Sequence, residues 1–181
     1  DNLNNIAVIL REQGKLGEAK DKFRQCWQMS QKNKSIHPSL ALVYYHNYAA
    51  SFYNLNQYEK CLAALDTVLQ LRAQYAPNDI FSINHARGFM ANCHAKLGRK
   101  KQAIKLFQQV IEDHQKAFGN KGNADLEARM DIIKITGNQN EVDNLHHLNK
   151  SIIDDRMGGN HAYHHKNNMA YHRALLTLEK Y

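Results

Sequence analysis

Gly14-Lys15-Leu16-Gly17-Glu18-Ala19, Asn56-Gln57-Tyr58-Glu59-Lys60-Cys61 and Gly98-Arg99-Lys100-Lys101-Gln102-Ala103 share one shape and recur at intervals of 42 residues. The same shift aligns the residues before each stretch: Ile6-Ala7 falls on Tyr48-Ala49 and on Met90-Ala91. It also aligns the residues after each stretch, first Phe23, Leu65 and Phe107, then Cys26, Val68 and Val110. Self-similarity at a period of this size marks a repeat architecture.

Outward from each turn the residues are spaced for helices. Leu3, Ile6, Ala7 and Leu10 share one helix face, and Tyr45, Tyr48, Ala49 and Phe52 repeat it. After the turn, Leu16, Ala19, Phe23 and Cys26 form a facing stripe. Ala or Cys at 19, 61 and 103 lets two backbones approach, and a large residue four positions later fills the remaining gap. Each unit is therefore a helical hairpin, and hairpins that cannot bury both faces alone stack on one another. The spacing predicts helices over 2–13, 16–32, 39–55, 58–75, 80–97 and 100–117. Pro38 and Pro77 fall between units, and Ser39 and Asn78-Asp79 are candidate helix caps.

A fourth unit is degenerate. Leu126, Met130 and Ile133 continue a helical stripe, Gly137-Asn138 makes a turn, and Val142, Leu145, Leu148, Ile152 and Ile153 form a second helix. Segment 161–181 reads as one more helix with Met169, Leu175, Leu176 and Leu178 as its apolar points. It is the start of a fifth unit, a capping helix or a linker. The expected organisation is repeats at about 1–35, 36–77, 78–120 and 121–155, then a C-terminal segment 156–181.

Composition agrees. The chain has 181 residues, 43% hydrophobic and 23% charged, which is globular rather than disordered. Only 2 Pro and 9 Gly argue against an all-β fold. No apolar run approaches the ~20 residues of a membrane helix, and no signal peptide opens the chain. The formal charge of +7 favours acidic partners in general, or is simply a solvated basic surface. Cys26, Cys61 and Cys93 are an odd set with wide spacing and read as small apolar fillers in a reducing, cytoplasmic setting.

The small–large columns, the Gly at the turn and the Ala of the second helix resemble the tetratricopeptide repeat. The 42-residue length, Leu3-Asn4-Asn5-Ile6-Ala7 and His37-Pro38-Ser39-Leu40-Ala41 are similar to the kinesin-light-chain type. The resemblance covers about 2–118 well and 122–153 loosely. Arg87, His94 and Lys100 depart from it, standing where the pattern wants apolar or aromatic residues. It implies an all-α, right-handed α–α superhelix whose concave wall is made by the first helix of each unit and holds a partner segment. The implied groove positions are Asn4, Asn5, Val8, Arg11 and Glu12 in unit one, and His46, Asn47, Ala50, Tyr53 and Asn54 in unit two. In unit three they are His85, Phe89, Asn92 and Lys96.

The chemistry of these residues fits. They lie off the apolar stripe, so packing does not demand them. Asn5 and Asn47 recur 42 residues apart, and an Asn amide pairs with a peptide backbone without reading its sequence. Tyr53 and Phe89 suit an apolar side chain, Arg11 and Lys96 a carboxylate. The alternative is that Asn5 and Asn47 only bond neighbouring helices.

Other features point elsewhere only weakly. His161 and His165 share a helix face, but few carboxylates and no Cys stand in register to complete a metal site. Lys96, Arg99, Lys100, Lys101 and Lys105 cluster at a turn without interleaved aromatics or a DNA-reading motif. Trp27 and Met29 are expected to pack between units. No phosphate loop, dinucleotide fingerprint, H-E-x-x-H or G-x-S-x-G occurs, so neither an enzyme nor a cofactor is expected.

The expected function is a non-enzymatic module that binds a protein or peptide segment, with no specific nucleic acid and no membrane. The absent initial Met and the helix that runs to the end lead us to expect a piece of a larger protein. The alternative is a sensory or regulatory input domain of a bacterial signalling protein or transcription regulator, receiving a peptide signal. A third reading is self-association through an open repeat end.

Overall fold

The computed structural model describes residues 2–33, 35–119, 124–136, 138–157 and 161–178. They form helices α1 (Asn2–Glu12), α2 (Leu16–Lys32), α3 (Pro38–Asn54), α4 (Tyr58–Tyr75), α5 (Ile80–Lys96), α6 (Lys100–Phe118), α7 (Ala124–Ile135), α8 (Gln139–Met157) and α9 (His161–Leu178). No strand occurs among the described residues. The chain divides into two compact units, residues 1–97 and 98–181.

The aligned columns are the core. Ala7, Ala49 and Ala91 are fully buried, as are Cys61 and Ala103, with Ala19 at 2% exposure. Phe23, Leu65 and Phe107 are buried at 1%, 0% and 2%, and Cys26, Val68 and Val110 follow them inside. The turns obey the same period. Gly14, Asn56 and Gly98 all take the left-handed conformation, with φ of 75°, 57° and 74°. Gly enters that region freely, and Asn is the side chain that tolerates it best. At equivalent positions, Lys15 N–H donates to the Leu10 carbonyl and Gln57 N–H to that of Phe52, at 2.9 and 2.8 Å. These bonds wrap the helix end and satisfy its last carbonyls.

In the first unit α1 packs on α2, α2 on α3, α3 on α4, and α4 on α5, while α3 also touches α5. α3 lies among three neighbours, which explains why its 17 residues include no Lys, Arg, Asp or Glu. Its cap differs from expectation. His37, not Ser39, is the N-cap; its Nδ1 accepts from Ser39 N–H at 3.3 Å, and Pro38 begins the helix. Pro suits a first helical position because no intrahelical bond needs its missing N–H. The cap of α5 is Asp79, as the sequence suggests, with Oδ1 accepting from Ser82 N–H at 3.1 Å. Trp27 stacks on Tyr45 at 4.4 Å and so joins the first two repeats, whereas Met29 is 59% exposed.

In the second unit α6 packs on α7, and α7, α8 and α9 pack on one another. Their shared core is Leu126, Met130, Ile133, Val142, Ile153, Ala170 and Ala174. The buried face of α9 thus carries Asn167, Ala170 and Ala174, while the expected Met169 and Leu176 are exposed. Leu148 of α8 is exposed as well. Small residues serve where helices approach closely, and their apolar signal in a sequence is faint. Gly137, read as a turn residue, lies outside the described residues.

Candidate functional site

All fourteen candidate groove residues lie on α1, α3 and α5 of the first unit. They separate into an amide part and an aromatic part.

The amide part joins α1 to α3. Asn47 Nδ2 donates to Asn4 Oδ1 at 3.0 Å, and both side chains are half-buried. Asn47 therefore does bond a neighbouring helix, through Asn4 rather than Asn5. Asn5 itself is exposed. Arg11 and Asn54 are half-buried.

The aromatic part joins α3 to α5. His46 is buried at 5% exposure beneath the exposed His85, the two rings stacked at 4.7 Å. The Phe89 ring stands edge-on to His46, His85 and Tyr53, at 5.5, 5.3 and 5.8 Å. The structure adds Phe81, 68% exposed, whose ring runs parallel to His85 at 6.5 Å. Phe81 and His85 are four apart on one helix face, a spacing that the sequence carries and that marks them as neighbours. On the same face Gly88 leaves a gap, for a Cβ added there meets nothing within 4 Å. Asn92 is half-buried one turn further, and Lys96 is exposed.

The electrostatics of the aromatic part are unusual. Neither ring nitrogen of His46 has a hydrogen-bond partner among the described residues. Burial, then the neighbouring His85 and Arg72, push its pKa down to about 3, so it is neutral at pH 7. Arg72, near the end of α4, is 2% exposed and was not anticipated. Its Nη1 donates to Asp79 Oδ2 at 3.0 Å. Burial pulls the guanidinium pKa down, and Asp79 works against that. One carboxylate therefore holds the last turn of α4 and caps α5.

Other features are placed as follows. Trp27, Ile36, Leu42, Leu71 and Tyr75 line a separate cleft of about 530 Å³ among α2, α3 and α4. The three cysteines are free and buried. The Cys93 thiol is pushed up by its hydrogen bond with Cys61 and by burial, which disfavours its thiolate form. Among the described residues no group of three His, Cys, Asp or Glu side chains is placed to hold a metal. None of the helices is long and apolar enough to cross a membrane, among the same residues.

Residues 3–33 and 90–117 match family models of the tetratricopeptide repeat. No curated protein matches the chain. Among solved structures, the chain is similar to nearly identical TPR-like repeats from Podosopora anserina, described as kinesin light chain. The TM-score is 0.77 at 18% identity, covering 99% of this chain and 86% of the other. A singly substituted form of those repeats gives 0.75 at 19% identity, covering 99% and 91%. BtubC (BKLC) from P. vanneervenii gives 0.73 at 12% identity, covering 99% and 80%. At these identities the likeness shows the fold, the all-α superhelix class of helical repeats.

Proposed function

Because the chain carries tetratricopeptide repeats, which generally mediate protein–protein interaction, we propose that it binds an extended segment of a protein partner across α1, α3 and α5. One observation carries this reading. Phe81 is 68% exposed and His85 is exposed on a face of α5 that packing against α4 leaves over, and Gly88 opens space beside them. An exposed aromatic ring beside a mid-helix glycine is not what a helix alone selects, since each lowers stability or solubility.

The contact set is Asn4, Asn5, Arg11, His46, Asn47, Tyr53, Asn54, His85, Phe89, Asn92 and Lys96, enlarged by Phe81. In this reading the rings take an apolar side chain and the amides of α1 and α3 meet the segment's backbone. Three free, buried cysteines fit a reducing, cytoplasmic setting.

The test is selection of a displayed random-peptide library against the chain, followed by affinity measurements on the peptides recovered. Asn5→Ala with His85→Ala should weaken them at least about tenfold, as expected for lost buried contacts. Gln28→Ala, on the exposed face of α2, should not. Peptides that bind both variants equally would move the interface away from α1, α3 and α5.

A further inference from the structure

The second unit contains a polar contact unlike its apolar surroundings. Asn149 of α8 and Asn167 of α9 are both fully buried within the cluster that holds α7, α8 and α9 together. Asn149 Nδ2 donates to Asn167 Oδ1 at 3.3 Å. Asn167 Nδ2 donates to the backbone carbonyl of His146 at 3.1 Å and lies 3.1 Å from His146 Nδ1. This arrangement fixes protons. The carbonyl can only accept, so Nδ2 must face it, and His146 Nδ1 must then be the unprotonated nitrogen. Turning the Asn167 amide over would set its oxygen against the His146 carbonyl and take the acceptor away from Asn149.

We propose that His146 and Asn167 form an acid-sensitive latch: α9 is held on α8 while His146 is neutral and is released when His146 takes a proton. Protonation puts an N–H on Nδ1, facing the Asn167 amide N–H at a distance where two donors repel. Asn167 cannot turn to meet it, so the helix must shift.

The surroundings sharpen the response. On α8, His147 lies 5.6 Å from the His146 ring, and Lys150 is close enough to disfavour a second charge. On α9, His172 acts in the same sense. Asp143 is the opposing charge, and its Oδ1 already accepts from Tyr171 at 2.9 Å and from Gln139 at 2.8 Å. From α7 the cluster receives Leu126, Met130 and Ile133, none of them charged. Burial and these neighbours hold the His146 pKa below its ordinary value. Its ring is stacked on Tyr171 at 4.2 Å, a contact that a cation keeps, so the latch acts through Nδ1 and not through the stack. His164 lies 2.9 Å from Asp154, and with that carboxylate 54% exposed the pair contributes little to holding α9. Holding against release are the Tyr171–Asp143 hydrogen bond, the exposed Lys166–Glu127 pair with α7 at 3.6 Å, and the contacts of Ala170 and Ala174, which bury little apolar surface, with those of Tyr163, Leu175 and Leu178.

The experiment is amide hydrogen exchange by mass spectrometry at about pH 7.5 and about pH 5.5, corrected for the chemical exchange rate, with His146→Phe as reference, since that variant keeps a ring against Tyr171 and cannot take a proton. In the wild-type chain, protection of residues 161–178 should fall about tenfold more than in His146→Phe. Asn167→Asp places an acceptor opposite Nδ1, so its α9 should become better protected as the pH falls. Equal losses of protection in the wild type and in His146→Phe would overturn the latch.

Discussion

Replacing Asp79 by Asn and by Ala separates two roles that one carboxylate plays. Asp79 Oδ2 pairs with Arg72 Nη1 at 3.0 Å, and Asp79 Oδ1 caps α5 at Ser82 N–H. Asn still caps a helix, but it cannot neutralise a guanidinium. Stranding a buried charge costs about 3–5 kcal/mol. Arg72 is 3% exposed in its side chain and Asp79 37%, so water reaches one partner and reduces that figure. About 2 kcal/mol is expected for Asp79→Asn, and about 1 kcal/mol more for Asp79→Ala, which also loses the cap. Arg72→Met removes the buried charge together with the need for it, and should cost less than Asp79→Asn. The chain has one Trp, Trp27, stacked on Tyr45 within the first unit, so urea titration by its fluorescence reports this unit. A loss under about 0.5 kcal/mol for Asp79→Asn would refute the stranded-charge argument. Equal losses for Asn and Ala would refute the cap.

Gly88→Ala should stabilise the first unit by about 1 kcal/mol, since a Cβ there meets nothing within 4 Å, while weakening any segment that crosses α5. A thermal melt and the peptide affinities check the two signs. Gly14→Ala forces a side chain to φ 75° and should cost about 1–2 kcal/mol in the same titration. Leu65→Ala, at a fully buried position, should cost about 2–5 kcal/mol. His46 has a folded pKa of about 3 against an ordinary 6.5, so the unfolded chain binds the extra proton between them. Its stabilisation is complete above 6.5 and falls with pH toward 3, by at most about 1.4 kcal/mol per pH unit. Wild type and His46→Phe compared by denaturation across that range should diverge in slope, and parallel curves would show that His46 is not buried neutral.

The fold was readable because its signal is periodic. Ala49 and Ala91 each sit one period after the previous Ala, and no single-residue preference competes with that register. The turns were readable because Gly14, Asn56 and Gly98 are the residue types that accept a left-handed backbone. Partners across helices were harder to read. Asn47 meets Asn4 and not Asn5, a difference of one residue, or about 100° around α1, which spacing along one chain does not determine. Likewise Arg72 looks like a solvated charge until Asp79, seven residues on, is brought beside it. The face of α9 is legible only in part: Leu175 and Leu178 pack on the core as the apolar pattern indicates, whereas Met169 and Leu176 are exposed and the close helix approach falls to Ala170 and Ala174.

The common left-handed turn has a consequence for how such a chain changes its length. Because residues 14, 56 and 98 share one backbone state, segment 15–56 can be cut out or duplicated with each junction falling in a conformation already accepted there. Every side chain beyond the splice keeps its helix face, since the inserted length is one whole period. The proposed contact residues of a unit, such as His46 and Asn47, would travel with it as a cassette. Recombination in blocks would then lengthen, shorten or reorder the row of helices that carries them in one event, while the buried columns stay in phase.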